Sequence, residues 1–276
     1  MMAPMSAPAR PIRLLTTVAI IAAALLLLAL IVPVSRWAEW FAHPVRMSRG
    51  GGIPEVTLEG ARWLRVMLVV LAVTLVAGTA LLVRLVPHAA NTAENTIPPA
   101  ARSSKLWLAA LLLLAFLVRL PRLTESLWYD EISAFLDFGI HGPGAIVGNY
   151  FVQSNHVAHT LATWMSTELL GVNELSLRLP ALLASIAAVW ATWRLAREAA
   201  PGREALAIIA ALALAVMPVS VLEGVEARGY SMMILAAAAS TWLFVRAERT
   251  GSAATWLLYA AVVALGTWAH RVTVCV

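Results

Sequence analysis

The chain has 276 residues, is 61% apolar and only 13% charged, and carries a formal net charge of +5. A soluble domain averages roughly 45–50% apolar and about 25% charged residues, so this balance excludes an ordinary soluble domain and points to an integral membrane protein. The single cysteine, Cys275, excludes an intramolecular disulfide and a cysteine-based metal cluster. The arginines are scattered, with no basic–aromatic stripe, which argues against nucleic acid as a partner.

The start, MMAPMSAPARPIR, is basic and leads into an apolar run from Leu14 to Val34. That run is longer than a secretory h-region and lacks a small-x-small cleavage site, so it reads as a retained anchor. A spanning helix needs about 20 mostly apolar residues. Seven segments qualify, at 14–34, 66–83, 106–121, 179–196, 205–222, 231–246 and 253–270. The fourth ends in Arg194 and Arg197, which can snorkel to the interface. The stretches 36–65 and 84–105 contain Gly, Pro and Arg and read as loops, with NTAENTIPPAARSS at 91–104 as a flexible connector. The predicted organisation is a two-span N-terminal unit with its linker, 1–104, followed by a second unit, 105–276. The predicted fold is an all-α integral membrane bundle of about seven spans, with short juxtamembrane helices in one long extracytoplasmic loop. No internal repeat is visible.

Residues 122–178 form that loop. Within it, Ile132, Phe135, Leu136 and Ile140 recur at i, i+3, i+4 and i+8, the pattern of a short helix lying in the interface. HVAHTLATWMSTELLG at 156–171 is also helical in pattern, but short and polar, with His156, His159 and Glu168. We read it as juxtamembrane rather than spanning. With the N-terminus inside, Asp130–Glu131, Asn155–His156, the loop EGVEARGY at 223–230 and His270 then share the outer side. Were 156–171 a span, the last two would move to the opposite face. Lys and Arg divide ten inside and ten outside, so the positive-inside rule does not set the orientation.

SLWYDEISAF, at 126–135, places two carboxylates just after the apolar run 106–118. Trp128 and Tyr129 suit the headgroup layer, and the acids can simply face water. The alternative is chemistry: ionisable groups beside hydrocarbon are costly, and a carboxylate can take the proton of a hydroxyl nucleophile. Neighbouring helical residues point about 100° apart, so Asp130 and Glu131 need not share a role. Arg119 and Arg122 flank Pro121 and can neutralise a lipid phosphate or anchor the helix end. His156 and His159 share a helical face, weak evidence for a metal without a third ligand. Glu223, Glu226, Arg228 and Tyr230 crowd a short loop that is either a solvated turn or a site. Most ionisable residues lie at span ends, which favours interfacial chemistry over a transporter or scaffold, whose charges would lie within spans.

Taken in order, RLPRLTESLWYDE at 119–131, SNHVAHTLATWMSTELLG at 154–171, ELSLRLPALLASIAAVWATWRLARE at 174–198, EARGYSMMILAA at 226–237 and TWAH at 267–270 carry a resemblance. The chain resembles the polyprenyl-phosphate-dependent glycosyltransferases of the GT-C superfamily, near the protein O-mannosyltransferases and aminoarabinose transferases, over roughly 105–271. The resemblance implies a sugar carried on a polyprenyl phosphate, transferred with inversion to a hydroxyl of a protein, lipid or cell-envelope glycan. It implies Asp130 as general base, with Glu131 completing the acidic pair. Arg122, Asn155, His156, Glu226, Arg228 and Tyr230 fall to substrate binding, with Arg228, Arg122 or His156 facing the leaving phosphate. His270 and His156 are the positions implied for a divalent metal ion. Family prolines are replaced here by Val157 and Ala158. The Ala- and Arg-rich composition points to a bacterial cytoplasmic membrane, and the resemblance implies a site on its extracytoplasmic side. The chain stops at RVTVCV within what resembles the module, so an incomplete module is expected, with a lipid-binding relative that transfers no sugar as the alternative.

Overall fold

The computed structural model describes residues 9–50, 52–85, 99–149 and 153–270. The basic start up to residue 8, the connector residues 91–98 and the ending RVTVCV with Cys275 lie outside the described residues. Among the described residues there are helices, short 3-10 turns and loops, with no strand. In chain order the helices are α1 (Ala9–Ile31), α2 (Val34–Phe41), α3 (Pro44–Gly50), α4 (Glu55–Leu85), α5 (Arg102–Arg119), α6 (Tyr129–Asp137) and α7 (Gly142–Gly148). They continue as α8 (Val157–Leu170), α9 (Glu174–Ala199), α10 (Glu204–Val216), α11 (Pro218–Glu223), α12 (Tyr230–Thr250) and α13 (Ala253–Ala269).

Five of these are long and apolar enough to cross a membrane: Leu14–Ile31, Glu55–Arg84, Arg102–Arg122, Glu174–Ala199 and Tyr230–Thr250. The other two expected spans are shorter apolar helices, α10 and α13. The expected continuous segment 205–222 is divided. Met217 adopts an extended conformation before Pro218, which starts α11. A proline disfavours helix in the residue before it and cannot donate to the preceding turn. Arg119 reaches across this break, its guanidinium donating to Ala215 O before it and to Ser220 O after it, each at 3.0 Å. The outer faces carry Ile20, Leu30, Val73, Leu106, Leu113 and Ile209, all exposed. Such continuous apolar surface is what hydrocarbon covers.

α9 is the central post, packed by α5, α8, α10 and α12. Close approach comes from small residues: Ala207, Ala211 and Ala215 line one face of α10 and bury against Leu111, Ala115, Val189 and Trp193. Small-residue stripes let apolar helices approach until van der Waals contacts hold them. α1 and α4 form a separate antiparallel pair, tied by Arg65 donating to Ala29 O at 2.7 Å. The expected loop 36–65 is largely helical, as α2, α3 and the start of α4. It docks on the second unit through α7, where Asn149 donates to Phe41 O at 2.7 Å. His43 donates to the last-turn carbonyl of α6, at Asp137 O, 2.6 Å away.

α8 is 14 residues long, about 21 Å at 1.5 Å per residue, too short for a hydrocarbon core of about 30 Å. Its polar face is the buried one, with His159, Thr160, Thr163, Ser166 and Thr167 inside, while Met165, Leu169 and Leu170 face out. Because α8 does not span, Asp130, His156, the loop at 223–230 and His270 gather at one end of the bundle. Arg197–Glu204 at 2.8 Å and Glu198 between Arg246 and Arg249 hold the other end.

Candidate functional site

α6 begins at Tyr129, so Asp130 and Glu131 occupy its first turn and diverge by a helical step. Glu131 turns inward and is 1% exposed. Its Oε1 accepts from Arg178 Nε at 3.0 Å and from the Ala227 amide at 2.7 Å. Its Oε2 accepts from Arg178 Nη2 at 2.9 Å and from the Trp128 amide at 2.7 Å. Burial alone would raise this carboxyl, but the hydrogen bonds from Arg178, Ala227 and Trp128 outweigh it and hold the group below the usual carboxylate range. Arg178, on α9, also donates to the carbonyls of Arg122, Glu125 and Ser126. One guanidinium thus fixes the turn before α6, the first turn of α6, and α9 together. The loop before α12 joins them through the Ala227 amide on Glu131.

Asp130 points the other way and stays about half exposed. Its Oδ2 meets Arg228 Nη2 at 3.2 Å. Arg228 also faces Glu226 at 3.7 Å, donates to the Tyr230 hydroxyl at 3.1 Å and lies over the Tyr230 ring, 4.6 Å from its centroid. Its Nε is buried with no hydrogen-bond partner among the described residues. A guanidinium held on two sides by carboxylates, with donors to spare, suits a phosphate.

Beside Arg228, the His156 and His270 rings stack at 4.8 Å with an 18° interplanar angle. Tyr230 closes the group, 4.7 Å from His270 and 5.7 Å from His156. Gly229 permits this closeness: a Cβ there would run into the Ala269 carbonyl and come within 2.9 Å of His156 Cβ. His156 is pushed down to about 4 by burial, then by His270 and Arg228. His159, one turn further into α8, is pushed down to about 3 by burial and His156. His270 is lowered by burial and Arg228. All three are therefore neutral at neutral pH. Glu223, next to Glu226, is raised by burial and by that neighbour's charge.

The structure therefore brings Asp130, His156, Glu226, Arg228, Tyr230 and His270 into one cluster. Two expected members are turned elsewhere. Arg122 directs its guanidinium to Glu125 at 3.2 Å, and its backbone carbonyl serves Arg178. Asn155 is buried and ties down the end of α7, donating to Ile146 O and Asn149 O at 2.8 Å each. The implied metal pair is adjacent, but two stacked imidazoles direct their in-plane lone pairs side by side rather than onto one ion. Among the described residues no group of three or more His, Cys, Asp or Glu is placed to hold a metal. Structural and catalytic zinc sites use at least three protein ligands, so His156 and His270 alone do not make up a zinc site. In the sequence Arg178 stands within ELSLRLPALLASIAAVWATWRLARE, where nothing marks Glu131 as its partner. The helix starts earlier, at Glu174, with Asn173 capping it, so Pro180 lies inside α9.

An all-α bundle of lipid-facing helices, with an ion-paired carboxylate and a ring cluster at one end, defines a membrane protein with a polar site at its edge. Residues 157–276 match the family model described as dolichyl-phosphate-mannose-protein mannosyltransferase. That part of the chain is thus GT-C glycosyltransferase-like, a membrane class whose name carries a lipid-linked sugar donor. No curated protein and no solved structure matches the chain. The matched segment contains Arg178, Glu226, Arg228, Tyr230 and His270 but begins after Asp130, Glu131 and His156. The bonds from Arg178 and Ala227 to Glu131, and from Arg228 to Asp130, join the unmatched acids to it.

Proposed function

We propose that this chain transfers a sugar from a polyprenyl phosphate to an acceptor hydroxyl with inversion at the anomeric carbon. The observation that carries this reading is the Asp130–Arg228 pair, half open to solvent at the end of a lipid-facing bundle. In the proposed reaction Asp130 takes the proton of the acceptor hydroxyl as its oxygen attacks the anomeric carbon. The bond to the lipid phosphate breaks on the opposite face, and the phosphate departs with the bonding electrons. Charge developing on that phosphate needs fixed donors, and Arg228, backed by the Tyr230 hydroxyl, supplies them. Neutral His156 and His270 offer hydrogen bonds without adding charge. Glu131 acts as a positioning residue, since its oxygens are already occupied by Arg178 and two backbone amides. The acceptor is a protein, lipid or cell-envelope hydroxyl, and the site faces the extracytoplasmic side of the cytoplasmic membrane.

The test is to supply membranes containing the full chain with radiolabelled polyprenyl-phosphate mannose and with nucleotide-linked mannose. Label should pass to acceptor from the lipid donor alone, and the product should carry the opposite anomeric configuration. Transfer from the nucleotide sugar alone, or retention of configuration, would remove this reading.

A further inference from the structure

The groove where the N-terminal helical pair meets α7 has no part in the site above. It encloses about 430 Å³, within the range of roughly 300–1,000 Å³ typical of small-ligand sites. One wall is a single stripe of α4, with Val56, Thr57, Gly60 and Leu64 at i, i+1, i+4 and i+8. Phe41 and Val147 face it from α2 and α7, and Arg46 of α3 brings a cation. Arg46, Thr57 and Asn149 beside the apolar Phe41, Val56, Leu64 and Val147 match a molecule that is charged at one end and hydrocarbon at the other.

The level of the groove identifies the occupant. α4 has 31 residues, about 46 Å at 1.5 Å per residue, against a hydrocarbon core of about 30 Å. Its continuous apolar run begins at Val66, so the stripe 56–64 stands in the headgroup layer. Trp40 and Trp63 are exposed on either side, as tryptophans are in that layer. The stretch 36–65 holds five arginines and three glutamates, a surplus of two positive charges. Val56, 65% exposed, stands open at the groove's edge. The groove is open beside Gly60, where a Cβ would meet nothing within 4 Å.

We propose that this groove binds an anionic glycerophospholipid of the surrounding bilayer, its phosphate on Arg46 and Thr57 and an acyl chain passing Leu64 and Val147 toward the hydrocarbon. The lipid would bridge the N-terminal helical pair to α7, and it binds whether or not the chain transfers sugar.

The test uses the full chain in detergent, incubated with equimolar dioleoyl-phosphatidylglycerol and dioleoyl-phosphatidylcholine, with bound lipid read by native mass spectrometry. The parent should retain phosphatidylglycerol roughly tenfold over phosphatidylcholine, because both carry the phosphate but the choline headgroup adds a cation beside Arg46. Arg46→Gln should erase that preference. Gly60→Leu projects a side chain into the groove from a position where its Cβ meets nothing within 4 Å, and should abolish retention of both lipids while the melting temperature in lipid-free detergent stays at the parent value. Equal retention of the two lipids by the parent would overturn the proposal, as would a preference unchanged in Arg46→Gln. Displacement of the bound lipid by equimolar polyprenyl phosphate would also overturn it, by assigning the groove to the sugar donor.

Discussion

Arg228 Nη2 stands 3.2 Å from Asp130 Oδ2, joining the first turn of α6 to the loop that opens α12. The same guanidinium lies over Tyr230. The site is thus one electrostatic unit in which the proposed base and the proposed phosphate ligand neutralise each other until a lipid phosphate competes for Arg228. Replacing Arg228 with Gln removes that ligand. Sugar transfer should fall by about 10²–10³-fold, as for loss of one transition-state donor. Arg228→Lys should recover little, because a point charge cannot reproduce the planar fork. Initial rates over a range of donor concentrations will check this, and parent-like rates in the Gln variant would exclude the role.

Glu131 and Arg178 make a buried pair whose loss should be structural. Arg178→Met leaves the carboxylate without its partner, at a cost of about 3–5 kcal/mol for breaking a buried pair. Glu131→Gln should cost a similar amount. The pair also sets a pH dependence. A carboxyl held below its usual range in the folded state contributes its full stability above the unfolded value, near pH 4.3. That contribution is lost as pH falls through the lower folded value. Melting temperatures of the parent between pH 7 and pH 3 should therefore drop more steeply than those of Glu131→Gln.

Much of the fold was legible because apolar run length reports directly on lipid-facing helices. The break at Met217–Pro218 was not, because hydropathy averages across a proline that interrupts the backbone without adding polarity. The helices α2 and α3 were hidden in an arginine-containing loop, since the apolar face of α2 covers α4 and α7 only once those elements are in place and α3 buries none of its residues. At the site, the order of motifs along the chain drew attention to Asp130, Arg228, Tyr230, His156 and His270, which the fold sets side by side. The separation of Asp130 from Glu131 follows from the 100° helical step, but the partner of Glu131 lies far along the chain, on α9. Arg122 was expected from its charge at a helix end and Asn155 from the resemblance, and neither reveals which way a side chain turns.

His156 and His159 titrate far below ordinary histidines, at about 4 and about 3. Both should stay neutral through the physiological range. The unfolded chain binds protons first, near pH 6.5. Stability from these two groups is therefore full above that pH and lost as pH falls toward their folded values. In spectra of ¹⁵N-histidine-labelled protein, two imidazoles should show no protonation shift between pH 8 and pH 5. One of those two signals should vanish in His159→Phe.

Gly229 has an ordinary φ of −73°, so its requirement is for space alone. Gly229→Ala should push His156 and the end of α13 away from Arg228. The stability cost should be about 1–3 kcal/mol, as for overpacking, with loss of transfer activity. Gly52→Ala, where a Cβ meets nothing within 4 Å, is the matched control and should leave both unchanged.

The central claim is that Asp130 activates the acceptor hydroxyl, and the most direct measurement replaces Asp130 with Asn in the full chain. Transfer from labelled polyprenyl-phosphate mannose is then compared in membranes carrying equal amounts of folded protein. Loss of a general base typically costs 10²–10⁴-fold, so the account predicts a fall of about that size with an unchanged melting temperature. Equal rates in parent and variant would contradict it.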